Sequence, residues 1–316
     1  MLATLTILGW IKISIGCLLL LWMARDFIVD FYRYKCSKAY FRGEIDRIEK
    51  LANKILKIKP NDFSGLVYKG LFYSYKGEYG KVQEIGKKIL GIAHKKKNKK
   101  WQIYALTFLS NFYRERGDLE KAELAANEAL NIAERVRGNP QISHIYNNLG
   151  LICGERKEWD KAEETFDKAI ELFSEKNVRE LAVIYCNFGI NYRLRGDLVR
   201  AENMLNKALE INEKYNLLGQ LAANYAEIGL VCVAKGEIEK GQELLEKSLA
   251  ISISKGMTKL TATQYWNLGL LYKTMRNKEK AKEYWVKAKS LYEKMKLTSK
   301  VGKIQQYMDN SELEWN

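Results

Sequence analysis

One helix-pair pattern recurs along this chain at a nearly fixed step, and that step limits the possible folds more than any other feature does. Ile48, Val82, Ala122, Ala162, Ala201, Gly241 and Ala281 occupy one equivalent position, separated by 34, 40, 40, 39, 40 and 40 residues. Seven residues beyond each lies Ile55, Ile89, Ala129, Ala169, Ala208, Ser248 or Ala288, on the same face of the same helix. Side chains this small or apolar mark where a second helix must approach. That helix lies upstream, in Asn147-Asn148-Leu149-Gly150, Asn187-Phe188-Gly189-Ile190-Asn191-Tyr192 and Asn267-Leu268-Gly269-Leu270-Leu271-Tyr272. Between the two helices stands Gly77-Glu78, Gly117-Asp118, Gly196-Asp197 or Gly236-Glu237. Glycine there takes the helix-terminating left-handed conformation, and the acid sits at the next N-terminus.

One such pair cannot bury its apolar face alone, so adjacent pairs stack into a solenoid held by nearest-neighbour contacts. The chain has two prolines, Pro60 and Pro140, and no Val/Ile/Thr-rich alternation of length, so no segment is a strand candidate. The expected class is all-α: a helical superhelix with one transmembrane helix ahead of it. Its predicted parts are an anchor over 1–24, a basic juxtamembrane segment with a first helix pair over 25–62, six tandem repeats over 63–294, and a capping helix and tail over 295–316. The last helix is expected near Ser299 to Met308.

The pattern resembles the tetratricopeptide repeat family, whose signature runs Leu-Gly-x-x-Tyr, then Ala-x-x-x-Phe, then Pro. Leu149-Gly150, Leu268-Gly269, Tyr192, Tyr272, Phe166 and Pro60 carry the match, which covers about residues 29 to 294. Steps near 40 exceed the family's usual 34, as in the kinesin-light-chain-like and bacterial peptide-sensor branches. Gly241 and Ser248 replace the usual alanines of the sixth copy, and Cys153 and Cys232 the usual tyrosine; all stay small or apolar.

The resemblance implies that the first helices line a concave groove that takes extended peptides. The position two before the packing glycine then faces the groove, and it holds Asn148, Asn187, Glu227 and Asn267. In the third repeat Ser110 stands for that glycine, and Asn111 follows it. An asparagine amide both donates and accepts, which suits a peptide backbone whatever its side chains. Four residues beyond the glycine position come Arg114, Arg193 and Lys273, suited to acidic side chains. The competing roles are hydrogen bonding to a neighbouring repeat for the asparagines and plain solvation for the cations. The family's carboxylate clamp for chaperone C-termini needs Lys and Arg at positions that here read Tyr104, His144, Val183, Ala223 and Thr263, which disfavours a chaperone co-factor.

Residues 2–23 contain one charge, Lys12, and eleven Leu or Ile. As a helix they would be about 33 Å long, enough for a hydrocarbon core of about 30 Å. A cleaved signal peptide would carry a basic start and small residues at its cleavage site. The chain instead begins Met1-Leu2-Ala3, and the stretch ends Leu21-Trp22-Met23-Ala24-Arg25, so an uncleaved signal-anchor is expected. Gly9, Lys12 and Gly16 share a helical face, where Lys12 either snorkels or contacts a membrane partner. Residues 25–100 hold 20 Lys/Arg against 8 Asp/Glu, a balance of +12 out of a total of +15. Positive flanks stay cytoplasmic, so the amino terminus is expected outside, the repeats in the cytoplasm, and anionic lipid headgroups close by.

Catalytic chemistry finds no foothold. The five cysteines, at 17, 36, 153, 186 and 232, show no metal-ligand spacing, and the only histidines are His94 and His144. Gly80 to Lys87 looks like a phosphate loop, but five residues separate its glycines where four are needed, and no Ser or Thr follows the lysine. The run Lys95-Lys96-Lys97-Asn98-Lys99-Lys100 lacks the interleaved aromatics and accompanying motif of a nucleic-acid site. No catalytic residue, metal site or cofactor is implied. The leading expectation is a membrane-tethered, non-catalytic scaffold that recruits a protein or peptide; a peptide-sensing regulator and an extracytoplasmic assembly factor are the alternatives.

Overall fold

A computed structural model describes residues 23–40, 44–76, 78–136, 139–173, 178–295 and 297–315; over these the chain is fifteen helices with no strand. They are α1 (23–40), α2 (Ile45–Ile58), α3 (Phe63–Tyr75), α4 (Tyr79–Lys95), α5 (Lys99–Glu115), α6 (Leu119–Glu134), α7 (Gln141–Glu155) and α8 (Trp159–Glu171). There follow α9 (Val178–Arg195), α10 (Leu198–Lys214), α11 (Leu218–Ala234), α12 (Ile238–Ser254), α13 (Thr258–Thr274), α14 (Lys278–Lys294) and α15 (Thr298–Trp315). Odd-numbered first helices pack on the even-numbered second helix that follows, and each second helix packs on the next first helix.

Helix starts follow from local chemistry. Asp118, Asp197 and Asn277 accept from the backbone N–H three residues on and so cap α6, α10 and α14. Gly117, Gly196 and Gly236 make the preceding turn at φ of +79°, +92° and +84°. At the same register Lys157 and Arg276 take φ of 62° and 56° without being glycine, so the packed helix pairs override a local preference. Gly77 lies outside the described residues.

The repeating small positions form the inner seam. Both seven-residue series identified above are buried throughout. The one polar member, Ser248, donates its hydroxyl to the Ala222 carbonyl at 2.6 Å. In the fourth pair the roles reverse, and Ser143 of the first helix donates to Ala169 O at 2.7 Å. Each packing glycine admits a large side chain sixteen residues later: a Cβ at Gly150 would meet the Phe166 ring at 2.9 Å, and one at Gly189 would meet Leu205 at 2.6 Å. Where the third pair has Ser110, the residue sixteen on is Ala126, and both are buried.

Strictly nearest-neighbour stacking does not hold at the ends. Val29, Cys36, Ala39, Ile48 and Ile55 of α1 and α2 share one continuous apolar cluster with Ala262, Tyr272, Trp285, Tyr292 and Ile304 of α13 to α15. Small rotations between successive pairs add up, and after seven pairs the superhelix meets itself. Polar contacts fix α1 in place: Arg33 Nη2 donates to the buried Asp62 carboxylate, which also caps α3 through Gly65 N at 2.9 Å.

The expected membrane span, with Lys12, lies outside the described residues apart from Met23. Among the described residues no helix is long and apolar enough to cross a membrane.

Candidate functional site

The odd-numbered helices from α5 to α13 touch one another along one side of the molecule, and this side holds the residues singled out in the sequence. Asn148 of α7 is only 3% exposed, and its amide nitrogen has no hydrogen-bond partner. Asn187 of α9 is half-buried and donates across to Asn147 Oδ1 of α7 at 3.0 Å. Asn267 of α13 is buried and donates within its own helix to Gln264 Oε1 at 3.1 Å. Asn111 of α5 is half-buried.

The cations are bridged between neighbouring first helices. Arg114 Nη1 of α5 donates to Glu155 Oε1 of α7 at 2.5 Å. Arg193 of α9 donates from Nε and Nη2 to Glu227 Oε2 of α11, at 3.2 and 3.0 Å. In the Arg193–Glu227 pair the position four beyond one repeat's glycine thus meets the position two before the next one's, whereas Arg114 meets the position five beyond the next glycine. That pairing is invisible in a repeat read singly and follows from stacking two copies. Lys273 lies 4.8 Å over the Tyr307 ring of α15, so the capping helix covers that end of the row.

Several side chains along this inner face touch water yet are ringed by neighbouring helices, and their titration reflects the enclosure. Burial pulls the His144 imidazole below its ordinary range and pushes the Cys186 thiol up to about 12. Burial also raises Glu227, against the opposing pull of Arg193, and lowers the Lys259 ammonium, against Glu115. A groove of this kind strengthens every polar contact made inside it. Among the described residues no three His, Cys, Asp or Glu converge as a metal site.

At one edge the groove deepens into a cleft of about 640 Å³ between Tyr40 of α1 and the first turns of α9, α11 and α13. Sequence reasoning did not pick this cleft out. A signal was present: Leu217 and Met257, 40 residues apart, stand where a helix start favours Ser, Thr, Asp or Asn.

Sequence models of the tetratricopeptide repeat match residues 103–145, 141–214 and 264–295. No curated protein matches the chain. Among solved structures, a Rap protein complexed with Competence and Sporulation Factor is similar at a TM-score of 0.63 and 12% identity, over 92% of this chain and 87% of that one. A tetratricopeptide repeat protein from Parabacteroides merdae aligns at a TM-score of 0.53 and 18% identity, over 88% and 99% of the two chains. BtubC from P. vanneervenii aligns at 0.52 and 22% identity, over 70% and 91%. At these identities the likeness is one of fold. Residues 103–214 and 264–295 are tetratricopeptide repeats, and the remaining helix pairs continue the same solenoid.

Proposed function

We propose that the chain is a membrane-tethered scaffold whose groove holds an extended peptide or a segment of a partner protein at the cytoplasmic face of a membrane, without catalysis. The observation that carries the groove reading is Asn148: a buried amide with an unused donor on the inner helix row is a group that a peptide carbonyl would satisfy once the side chain turns outward into the groove. Asn187 and Asn267 stand at the equivalent places on α9 and α13, and their present bonds are to other side-chain amides, which a backbone amide can replace in kind. The Rap protein of similar fold is complexed with Competence and Sporulation Factor, which is consistent with this reading.

The tether is supported by α1. Met23, Phe27, Phe31 and Tyr34 are 62%, 75%, 46% and 66% exposed and share one helical face, opposite the face that buries Val29, Cys36 and Ala39. This stripe directly follows the apolar stretch that ends at Met23, and a basic stretch follows it, an arrangement suited to a membrane interface. Lys12 would lie within the span.

Co-purification with the full-length chain tests the proposal. Asn148→Ala, Asn187→Ala and Asn267→Ala are expected to lose the co-purifying partner, with the melting temperature nearly unchanged for Asn148→Ala and lowered modestly for the other two, whose buried partners Asn147 and Gln264 lose a hydrogen bond; retention of the partner by all three would remove the groove from the mechanism. A sensing role is the second reading, favoured by the contact between α1 and the last repeats: a ligand that tightened or opened that contact would change the whole superhelix.

A further inference from the structure

The lysine run of residues 95–100 takes no part in the groove, and the fold gives it a place that the sequence does not state. It forms the turn from α4 into α5. Lys95, Lys96, Lys97, Lys99 and Lys100 are all exposed, and among the described residues none of them is paired with an acid. From Ile85 to Arg114 the chain has no Asp or Glu, so no carboxylate close in sequence offsets the run. A series of contacts joins this turn to the start of α1. Lys96 lies 5.0 Å over the Trp101 ring, and Trp101 packs on Phe63 of α3 with 5.6 Å between ring centroids. The α2–α3 turn beside Phe63 carries Lys59, which pairs with Asp26 in the first turn of α1 at 2.5 Å. The start of α1, the α2–α3 turn and the α4–α5 turn therefore share one edge of the solenoid. The acids of that edge are already engaged, Asp26 with Lys59 and both Asp30 and Asp62 with Arg33. The exposed side chains of Met23, Phe27 and Phe31 start from the same corner.

We propose that this edge docks on an anionic lipid surface, the lysines of the α4–α5 turn meeting charged headgroups while Phe27 and Phe31 enter the interface beside them. The inference rests on the tether reading and adds an orientation to it. The solenoid stands on the membrane by the edge where α1 begins, and the α4–α5 turn is a second point of attachment, separated by the whole of α2 to α4 from the apolar residues 2–23. Lysines near an anionic surface are attracted to it independently of any span, and salt screens that attraction. Nucleic acid fits the turn less well, because base stacking needs an open aromatic face. Trp101, the aromatic residue that follows the run, has Lys96 over its ring and Phe63 against it. Apolar side chains exposed next to the cations suit lipid instead.

Acetylation of the lysine side chains tests the docking directly. The full-length chain is placed in nanodiscs of phosphatidylcholine, alone or mixed with phosphatidylglycerol, and treated with an uncharged acetylating reagent, and each lysine is read by mass spectrometry. Lys95, Lys96, Lys97, Lys99 and Lys100 are expected to react about fivefold more slowly where phosphatidylglycerol is present. The difference should vanish in about 1 M NaCl, where the Debye length falls to about 3 Å. Lys157, exposed in the α7–α8 turn on the opposite edge, is the internal reference and should not change. Equal rates in the two discs overturn the proposal, and so does equal slowing at Lys157. Slowing by a single-stranded oligonucleotide where phosphatidylglycerol gives none also overturns it. In the Lys95→Gln, Lys97→Gln, Lys99→Gln variant, Lys100 should react alike in both discs; persistence of the full difference there overturns the run as the point of attachment. Alkaline carbonate extraction from phosphatidylcholine vesicles separates this inference from the tether. Retention of the chain together with the phosphatidylglycerol effect supports both, and retention without the effect overturns the docking alone. Release with the effect overturns the tether and upholds the docking, and release without it overturns the two together.

Discussion

Gly269 lies directly against Trp285: a Cβ on the glycine would stand 2.2 Å from both Cδ1 and Nε1 of the indole. The ring is 1% exposed and cannot swing aside. Gly269→Ala is therefore expected to destabilise the protein by about 1–3 kcal/mol in denaturant unfolding, the usual range for overpacking. Gly91, also helical but exposed with nothing within 4 Å of its would-be Cβ, is the control. Gly91→Ala should stabilise by roughly 0.5–1 kcal/mol, since alanine has the better helix propensity.

Asp62 ties α1 to the solenoid. It is buried, caps α3 and receives Arg33. Removing the carboxylate leaves the Gly65 N–H without its acceptor and Arg33 with Asp30 alone, so Asp62→Ala is expected to cost about 1–3 kcal/mol. Hydrogen exchange should locate the effect: amides of residues 23–40 should exchange faster, and those of α9 should not.

His144 makes stability depend on pH. Its folded pKa is lowered by burial from an ordinary value of 6.5, so the folded state favours the neutral ring. The contribution is fully present above pH 6.5 and is lost as pH falls through the lower folded value. Relative to His144→Gln, the unmodified chain should lose up to about 1.4 kcal/mol per pH unit across that window. Paired urea titrations at pH 7.5, 6.5 and 5.5 measure it; a constant difference between the two proteins would assign the slope elsewhere.

Orientation follows from charge in the proposed tether. In sealed vesicles, protease added outside should leave the repeats intact, and amino-terminal sequencing should find the apolar stretch of residues 2–23 still attached. Reversed protection would place the repeats on the other side of the membrane.

The repeat step, the two small-residue series and the turn glycines were legible because a helix pair is a local object: the 3.6-residue period and the left-handed turn act over a few residues and leave their mark at each copy. The buried alanines at 122, 162 and 201 and the Gly–Asp turns followed from that alone, as did the assignment of the asparagines to the first helices. Two things did not. Arg193 meets Glu227, and Arg114 meets Glu155, only because adjacent copies stack in one relative rotation, and no single repeat states that angle. The contact between α1 and α13 to α15, and with it the cleft lined by Tyr40, Arg179 and Lys259, depends on the sum of those rotations over seven pairs. Each rotation is set by side-chain packing across an interface, so a small change at each step moves the two ends by many ångströms, and only the folded whole decides whether they meet.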